Sequence, residues 1–352
     1  MFTKFTIAEI LLATAWAPLI AAHPGEVHVP LTPAELSRRQ LETTHRHNVA
    51  RNCAPQIAEY TAKRKAKRNS IFKRGPKRQY NGRFAKRDDE TAATNTPTYS
   101  MLQNSTCVTA PEVTEGPYYV ANELLRTDLR EDQAGVDLVL DIGVIDTTTC
   151  TPLADALVEI WNCNATGAYA GFTSASLGGP PGGNSPTKRS TSMSDQYTWL
   201  RGGYATNSEG IVEFKTIYPG YYTSRTVHIH TMVQTNYSVA TNGSIISHAG
   251  QVRHIGQIFF DEDLNDQVLA QPAYINTTQI RTVNDDDSVL EEQNTDGYNA
   301  FADAELLGSD VSDGVLAYIT LGVDTTHTSS IRSTNYVTLT SDENAAEATG
   351  AA

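Results

Sequence analysis

Two histidines separated by one residue have the spacing that points most directly to chemistry in this chain. His228 and His230 flank Ile229 within a run of residues, 226–233, that is rich in β-branched side chains. Side chains at positions i and i+2 of a strand point to the same face, so the two imidazoles should project together. Paired imidazoles suit a metal ion of the zinc, copper or iron group. A His-x-His pair is more often an ordinary surface or core pair, so a metal site requires further ligands nearby.

The residues around the histidine pair favour aromatic rather than carboxylate ligands. Cupin-type metalloenzymes also use His-x-His, but they normally place a carboxylate a few residues later, and residues 231–237 contain no Asp or Glu. Tyrosines are the conspicuous neighbours instead: Tyr221 and Tyr222 lie just upstream, and Tyr169 closes an earlier block. A phenol has a pKa of about 10, but a highly charged metal ion can hold it as a phenolate.

Five blocks of this sequence resemble the intradiol ring-cleavage dioxygenases, such as catechol and protocatechuate dioxygenases, and most closely their secreted fungal branch. The blocks are TEGPYYV (114–120), VEIWNCNATGAY (158–169), LRGGYATNSEGIVEFKTIYPGYY (200–222), RTVHIH (225–230) and HIGQIFFD (254–261). They occur in the family's order, which makes the resemblance far more specific than any single motif.

The resemblance implies one Fe(III) ion as cofactor, with Tyr169, Tyr222, His228 and His230 as its ligands. Two phenolates and a hydroxide would neutralise the charge of the ferric ion. The spacing from Tyr222 to His228 is shorter than in the intracellular enzymes, so the connecting loop is trimmed here. Tyr221 directly precedes Tyr222 and stays open as the alternative ligand, because strand alternation lets only one of the two face the metal.

The same resemblance implies that the protein cleaves catechol-type aromatics with O2 between the two hydroxyl-bearing carbons, giving muconate-type products. Tyr222 would also act as a catalytic base that takes a catechol proton. Arg225 and Gln257 align with an Arg and a Gln beside the family's metal. Arg225 would bind substrate and stabilise anionic charge, and Gln257 would hold the substrate. Tyr118 and Tyr119 are candidates to line the substrate pocket, the alternative being that they pack as aromatic core.

The N-terminal residues predict export from the cell. Residues 1–22 combine Lys4, an apolar run and the small residues Ala21 and Ala22, the pattern of a secretory signal peptide. A membrane anchor is the alternative, but Glu9 and Pro18 interrupt a run that is short for about 30 Å of hydrocarbon. Five Asn-x-Ser/Thr sequons fit a secreted glycoprotein. They lie at Asn104, Asn164, Asn236, Asn242 and Asn276.

Charge divides the chain near residue 87. Residues 1–87 hold 17 of the 27 Lys and Arg residues but only 5 of the 40 Asp and Glu residues. Lys-Arg pairs occur at 63–64, 67–68, 73–74, 77–78 and 86–87. These pairs resemble the sites of kexin-like processing proteases and predict a basic pro-segment over 23–87, the alternative being an uncleaved basic arm. The strongly acidic remainder argues against nucleic acid or an anionic membrane as a partner.

The cysteine content predicts one disulfide in the mature protein. An oxidising compartment favours pairing, and Cys107, Cys150 and Cys163 remain if Cys53 belongs to the pro-segment. Cys150 falls in the turn of an apparent hairpin and Cys163 at the far end of its second strand, which is too far apart for a disulfide. We therefore expect Cys107 to pair with either Cys150 or Cys163.

From residue 136 onward the sequence has the periodicity of β-strands. Residues 136–146 and 157–161 alternate polar and apolar side chains around a turn-rich segment, which predicts a hairpin. Further strands are predicted at 211–217, 226–233, 255–260 and 315–322, and short helices near 121–132 and 263–270. The pattern predicts one all-β sandwich domain over 88–339, with a Gly/Pro/Ser-rich loop at 173–194 and a disordered tail at 340–352.

Two other functions remain compatible with the sequence. One is a non-catalytic, secreted β-sandwich binding module, and the other is a different metalloenzyme that uses only the histidine pair. A binding module would have no reason to keep Tyr169, Tyr222, Arg225 and Gln257 in register with the two histidines.

Overall fold

The computed structural model describes Cys53, Pro55 and Gln56 together with residues 115–174, 192–294 and 299–338. The predicted signal peptide, most of the predicted pro-segment, Cys107, most of the loop at 173–194 and the tail at 340–352 lie outside the described residues. Within them the secondary structure is mostly strand. The strands are β1 (Asp137–Asp146), β2 (Thr151–Pro152), β3 (Leu157–Trp161), β4 (Arg201–Ala205), β5 (Ile211–Ile217), β6 (His228–Thr235), β7 (Gln251–Phe259), β8 (Asp303–Leu306) and β9 (Val315–Val323).

The helices are short and lie in the connections around β7, β8 and β9. The α-helices are α1 (Glu262–Leu269) and α2 (Ser288–Gln293), and single 3₁₀ turns occur at Asn284–Asp286 and Val311–Asp313. The helix predicted at 263–270 is confirmed as α1. The helix predicted near 121–132 is wrong, because this stretch is extended and makes isolated bridges at Leu124, Leu125 and Asp128.

The strands form two sheets. In the first, β1 pairs in parallel with β9 along one edge and antiparallel with β5 and β2 along the other, and β9 pairs with β8. The second sheet is antiparallel in the order β4-β3-β6-β7. The predicted strands at 211–217, 226–233, 255–260 and 315–322 are confirmed as β5, β6, β7 and β9. The architecture is therefore the predicted all-β sandwich.

The predicted hairpin between 136–146 and 157–161 is wrong. After β1 the chain makes only the two-residue partner β2, and β3 then lies in the second sheet, between β4 and β6. Side-chain alternation specifies which residues share a face of a strand, but it does not specify which strand is the neighbour. A turn-rich segment therefore looks the same whether the chain folds back or crosses to another sheet.

Alternation along the strands of the second sheet separates two clusters of buried side chains. Val158 and Ile160 of β3 and Ile229 and Val233 of β6 join residues of the first sheet in the core between the sheets. The intervening residues of the same strands, such as Trp161 and Met232, point to the opposite face. There they pack in a second, aromatic cluster. Strand β7 and the segments before β1 and between β3 and β6 supply the other members of this cluster. His228 and His230 lie on the same face.

The disulfide differs from the predicted one. Cys53 is bonded to Cys150, 97 residues away in sequence, and packs fully buried against Ile145 and Ile211. Cys163 is a free, buried thiol. The prediction that Cys107 pairs with Cys150 or Cys163 is therefore wrong. The error came from assigning Cys53 to a removable leader, and sequence spacing alone does not specify disulfide connectivity.

Candidate metal centre

Four aromatic rings meet on the face of the second sheet that points away from the core between the two sheets. The ring centroids lie 5.9 Å apart for Tyr169 and Tyr222, 5.5 Å for Tyr222 and His228, and 4.9 Å for His228 and His230. The Tyr169 hydroxyl oxygen is 3.4 Å from His228 Nε2. All four side chains are almost completely removed from solvent. The structure thus brings together the four ligands that the sequence predicts.

Two glycine-dependent loops carry the tyrosines to the histidines. Tyr169 follows β3 and Tyr222 follows β5, and their loops pack backbone against backbone. A Cβ at Gly220 would lie 2.5 Å from the Ala165 carbonyl oxygen, and one at Gly167, where φ is +92°, would collide with the Tyr221 carbonyl oxygen. Only glycine tolerates such close approach without strain. These glycines therefore hold the two phenols at one place.

The structure distinguishes Tyr222 from Tyr221. Tyr222 is completely buried and contacts the rings of Tyr169 and His228. Tyr221 is only half-buried and packs against the core between the sheets. Adjacent residues in extended backbone point in opposite directions. The geometry therefore places the phenol of Tyr222, and not that of Tyr221, among the four rings.

Both histidines are held in the neutral form that binds metal ions. His228 Nδ1 is 2.7 Å from the Thr226 carbonyl oxygen, which makes Nδ1 the protonated nitrogen and leaves the Nε2 lone pair facing Tyr169. The His230 ring stacks on Trp161 with centroids 5.0 Å apart and an interplanar angle of 6°. Burial, followed by the nearby His228, lowers the pKa of His230 well below its usual range. Neutral imidazoles are the form that binds metals.

Burial also keeps the phenol of Tyr169 in its neutral, protonated form. Burial, followed by the neighbouring Cys163 and Tyr222, raises its pKa well above the usual range. Loss of a proton from a fully buried phenol is unfavourable unless a cation compensates the charge. A metal ion bound here would compensate the charge of a phenolate at Tyr169.

The donor set fits ferric iron. Among the described residues there is no group of three or more His, Cys, Asp and Glu side chains that could hold a metal ion. The donors that lie beside the histidine pair are the phenols of Tyr169 and Tyr222. Imidazole suits iron, and an anionic oxygen donor is the preferred partner of a hard, highly charged ion. Two phenolates with two neutral imidazoles would suit Fe(III) in ligand type and would offset two of its three positive charges.

A buried polar chain lies beside the four rings. Arg225 donates from Nη2 to Gln257 Oε1 at 2.6 Å and from Nε to Asp287 Oδ2 at 2.8 Å. Gln257 is the cross-strand neighbour of His230. Arg225 and Gln257, both predicted from sequence, are thus bonded to each other beside the predicted metal ligand His230. Asp287 was not predicted, since it lies 62 residues from Arg225 in an acidic run that resembles a surface loop.

The two pocket candidates at the start of the domain occupy different positions. The Tyr118 ring stacks on Tyr169 at 4.8 Å and meets Tyr222 edge-on at 5.9 Å. The Tyr119 hydroxyl instead donates to Glu159 at 3.1 Å, and its ring packs on Trp161. The structure therefore brings Tyr118 to the four rings and places Tyr119 one layer behind them.

Comparison with known proteins identifies the family. A family model described as a dioxygenase matches residues 109–299, which is more than half of the chain. A solved intradiol ring-cleavage dioxygenase from Tetranychus urticae is 29% identical with a TM-score of 0.52, covering 63% of this chain and 98% of that structure. This protein is a member of the intradiol ring-cleavage dioxygenase family. The resemblance inferred from the five sequence blocks is confirmed.

Two further relatives of this intradiol dioxygenase family member agree with the assignment. A second crystal structure of a dioxygenase is also 29% identical, with a TM-score of 0.51 over 63% of this chain and 98% of its own. Catechol 1,2-dioxygenase 1 of Acinetobacter lwoffii is 26% identical over 149 residues, 36% of this chain and 42% of that protein. The chain thus matches less than half of the length of this curated relative. Among the described residues, no helix is long and apolar enough to cross a membrane.

Proposed function

We propose that this protein is a secreted, iron(III)-dependent intradiol dioxygenase that uses O2 to cleave catechol-type aromatics between their two hydroxyl-bearing carbons, giving muconate-type products. The observation that carries the proposal is the convergence of Tyr169, Tyr222, His228 and His230 in one buried place. Membership of the dioxygenase family supports it.

Tyr169, Tyr222, His228 and His230 would hold the iron. When bound, a ferric ion supplies the positive charge that keeps phenols ionised and binds the two oxygens of a catechol. Tyr222 precedes Arg225 by three residues, and the Arg225 backbone N–H donates to the Tyr222 carbonyl at 3.1 Å. As a phenolate, Tyr222 can accept the proton that a catechol hydroxyl must lose on binding.

Arg225 and Gln257 would orient the substrate and stabilise its charge. Among the described residues, Arg225 Nη1 and Gln257 Nε2 are buried donors with no hydrogen-bond partner. A buried, unsatisfied donor is costly, so two of them beside one site indicate that a ligand oxygen completes their bonds. Their low-dielectric surroundings strengthen the interaction with the negative charge that develops on a deprotonated catechol.

Oxygen uptake and colour test the proposal together. Iron-loaded protein should be red-brown because of phenolate-to-iron charge transfer, and it should consume O2 with catechol, hydroxyquinol or protocatechuate while a muconate-type product accumulates. Colourless protein that is fully loaded with iron would refute the proposed ligand set. Coloured protein without oxygen uptake on any of the three diols would leave a metal-binding protein without this activity.

Two adjacent tyrosines provide a matched pair of variants. Tyr222→Phe should bleach or shift the visible absorption and abolish oxygen uptake, because it removes a phenolate from the four-ring cluster. Tyr221→Phe should leave both properties largely intact, because Tyr221 packs on the core between the sheets. The reverse result would transfer the ligand role to Tyr221. Tyr169→Phe should behave like Tyr222→Phe in colour.

Secretion forms part of the same proposal and has its own measurement. The signal-peptide pattern of residues 1–22 and the sequons support it. Asn236, Asn242 and Asn276 are exposed and Asn164 is partly buried. Expression of the full chain in a secreting host should give protein in the medium that shifts to lower mass on treatment with an N-glycosidase. Retention of unglycosylated protein inside the cell would contradict the proposed localisation.

A further inference from the structure

Asp287 is a buried carboxylate whose two oxygens are fully used. Oδ2 accepts from Arg225 Nε and from the Thr226 backbone N–H, both at 2.8 Å. Oδ1 accepts from the backbone N–H groups of Val289 and Leu290, each at 3.0 Å, and so caps α2. These four donors hold the carboxylate in one orientation. Its position is therefore determined by the backbone on both sides, and not by its own flexible side chain.

The three nitrogen atoms of the Arg225 guanidinium have different surroundings. Nε donates to Asp287 and Nη2 donates to Gln257, while Nη1 is buried without a hydrogen-bond partner among the described residues. The guanidinium is planar, so fixing Nε and Nη2 also fixes where Nη1 points. The side chains of Arg225 and Asp287 are 1% and 0% exposed, respectively. Water therefore does not compete for these contacts.

The negative charge of Asp287 also stabilises the buried positive charge of Arg225. Arg225 is a buried cation, and the Asp287 carboxylate lies 2.8 Å from its Nε as the counterion. A buried guanidinium that loses its counterion is strongly destabilised and tends to move toward water. Without Asp287, the Arg225 guanidinium would therefore be expected to shift away from its position beside the four rings.

We propose that Asp287 is a positioning residue for ring cleavage, which holds the Arg225 guanidinium so that Nη1 stays an open donor for the substrate. This inference rests on the proposed function. Asp287 reaches the site through Arg225 and, behind it, Gln257. It also accepts from the Thr226 N–H, and the Thr226 carbonyl holds His228 Nδ1, so the charge-transfer absorption must be retained in Asp287→Asn if the effect runs through Arg225. The effect belongs to the transition state, in which anionic charge develops, and it should appear in kcat rather than in KM.

A double-mutant cycle separates this role from a purely structural one. Asp287→Asn, Arg225→Gln and the double variant are loaded with iron, and the fraction of folded, coloured protein is used to normalise oxygen uptake with catechol. We expect each single variant to lower kcat about ten-fold or more, with little change in KM and with the charge-transfer absorption retained. Asp287→Asn keeps an amide oxygen that can still cap α2.

The decisive measurement is the kcat of the double variant. If Asp287 acts through Arg225, the double variant should have about the same kcat as Arg225→Gln alone, because the second substitution has nothing left to disturb. Multiplied losses, or an Asp287→Asn variant that melts earlier but turns over at the wild-type rate per iron, would overturn the inference. Wild-type protein that consumes no O2 with any catechol would instead overturn the proposed function, and this inference with it.

Discussion

Gly116 provides the sharpest test of how the histidine pair is packed. Gly116 adopts φ of +76°, and a Cβ built on it would lie 2.9 Å from His230 Cε1 and 3.5 Å from Nε2. The parallel Trp161 ring lies against the same imidazole, which limits how far His230 can retreat. Gly116→Ala should therefore impose two separate penalties, one on the backbone and one on the imidazole.

The two penalties can be separated by a second glycine. Gly243 has nearly the same backbone conformation, with φ of +85°, but a Cβ there would meet nothing within 4 Å. Gly243→Ala should cost about 1–2 kcal/mol, the penalty of a left-handed conformation for an L-residue. Gly116→Ala should cost the same plus about 1–3 kcal/mol for overpacking against His230. Only Gly116→Ala should weaken iron binding, by about ten-fold or more, because it displaces a ligand ring.

The comparison needs two measurements on each variant. Urea unfolding followed by circular dichroism gives the free energy of unfolding, and iron titration followed by visible absorption gives the affinity. Equal losses of unfolding free energy for the two variants, or unchanged iron affinity in Gly116→Ala, would refute the packing argument. Such a result would mean that the His230 ring can move without leaving the site.

Two further predictions concern buried groups outside the four rings. Glu159 accepts hydrogen bonds from Tyr119 and Gln234, and burial raises its pKa from the ordinary 4.5 to about 7. Because the folded-state pKa is raised, the protonated carboxyl stabilises the fold below pH 4.5, and this stability is lost as pH rises through about 7. Glu159→Gln should therefore be more stable than wild type by roughly 1–3 kcal/mol near pH 8, and thermal unfolding should show this advantage vanishing near about pH 4. Cys150→Ser should lower the unfolding free energy by about 2–5 kcal/mol and remove the effect of reductants on stability. Cys163→Ser should remain sensitive to reductants, and the opposite pattern would contradict the disulfide.

The sequence predicted the parts of the site that depend on local periodicity. His228 and His230 share a face because alternation along β6 requires it, whatever strands lie beside it. Tyr169 and Tyr222 came from the family resemblance, since nothing in their local sequence indicates that the two loops meet. Strands β5, β6, β7 and β9 were found for the same reason as the histidines, because buried strands alternate or run apolar. Strands β4 and β8 were not predicted.

The errors share a physical cause, which is that partners distant in sequence leave no local signal. The turn after β1 has the composition of a hairpin turn, yet β3 belongs to the other sheet. Asp287 lies in an acidic stretch that resembles a solvated loop, and only the buried Arg225 explains it. Cys53 sits among basic residues typical of a leader, but its sulfur is buried against β1 and β5.

The disulfide between Cys53 and Cys150 would keep the predicted pro-segment attached to the protein after proteolytic cleavage. All the Lys-Arg pairs from 63 to 87 lie between these two cysteines in the sequence. Hydrolysis at any of them opens the backbone but leaves the disulfide intact. The product would be a two-chain molecule that runs as one band on a non-reducing gel and as two after reduction. Proteolysis would then turn the pro-segment into a light chain, and its release would require a thiol reductant that breaks the disulfide.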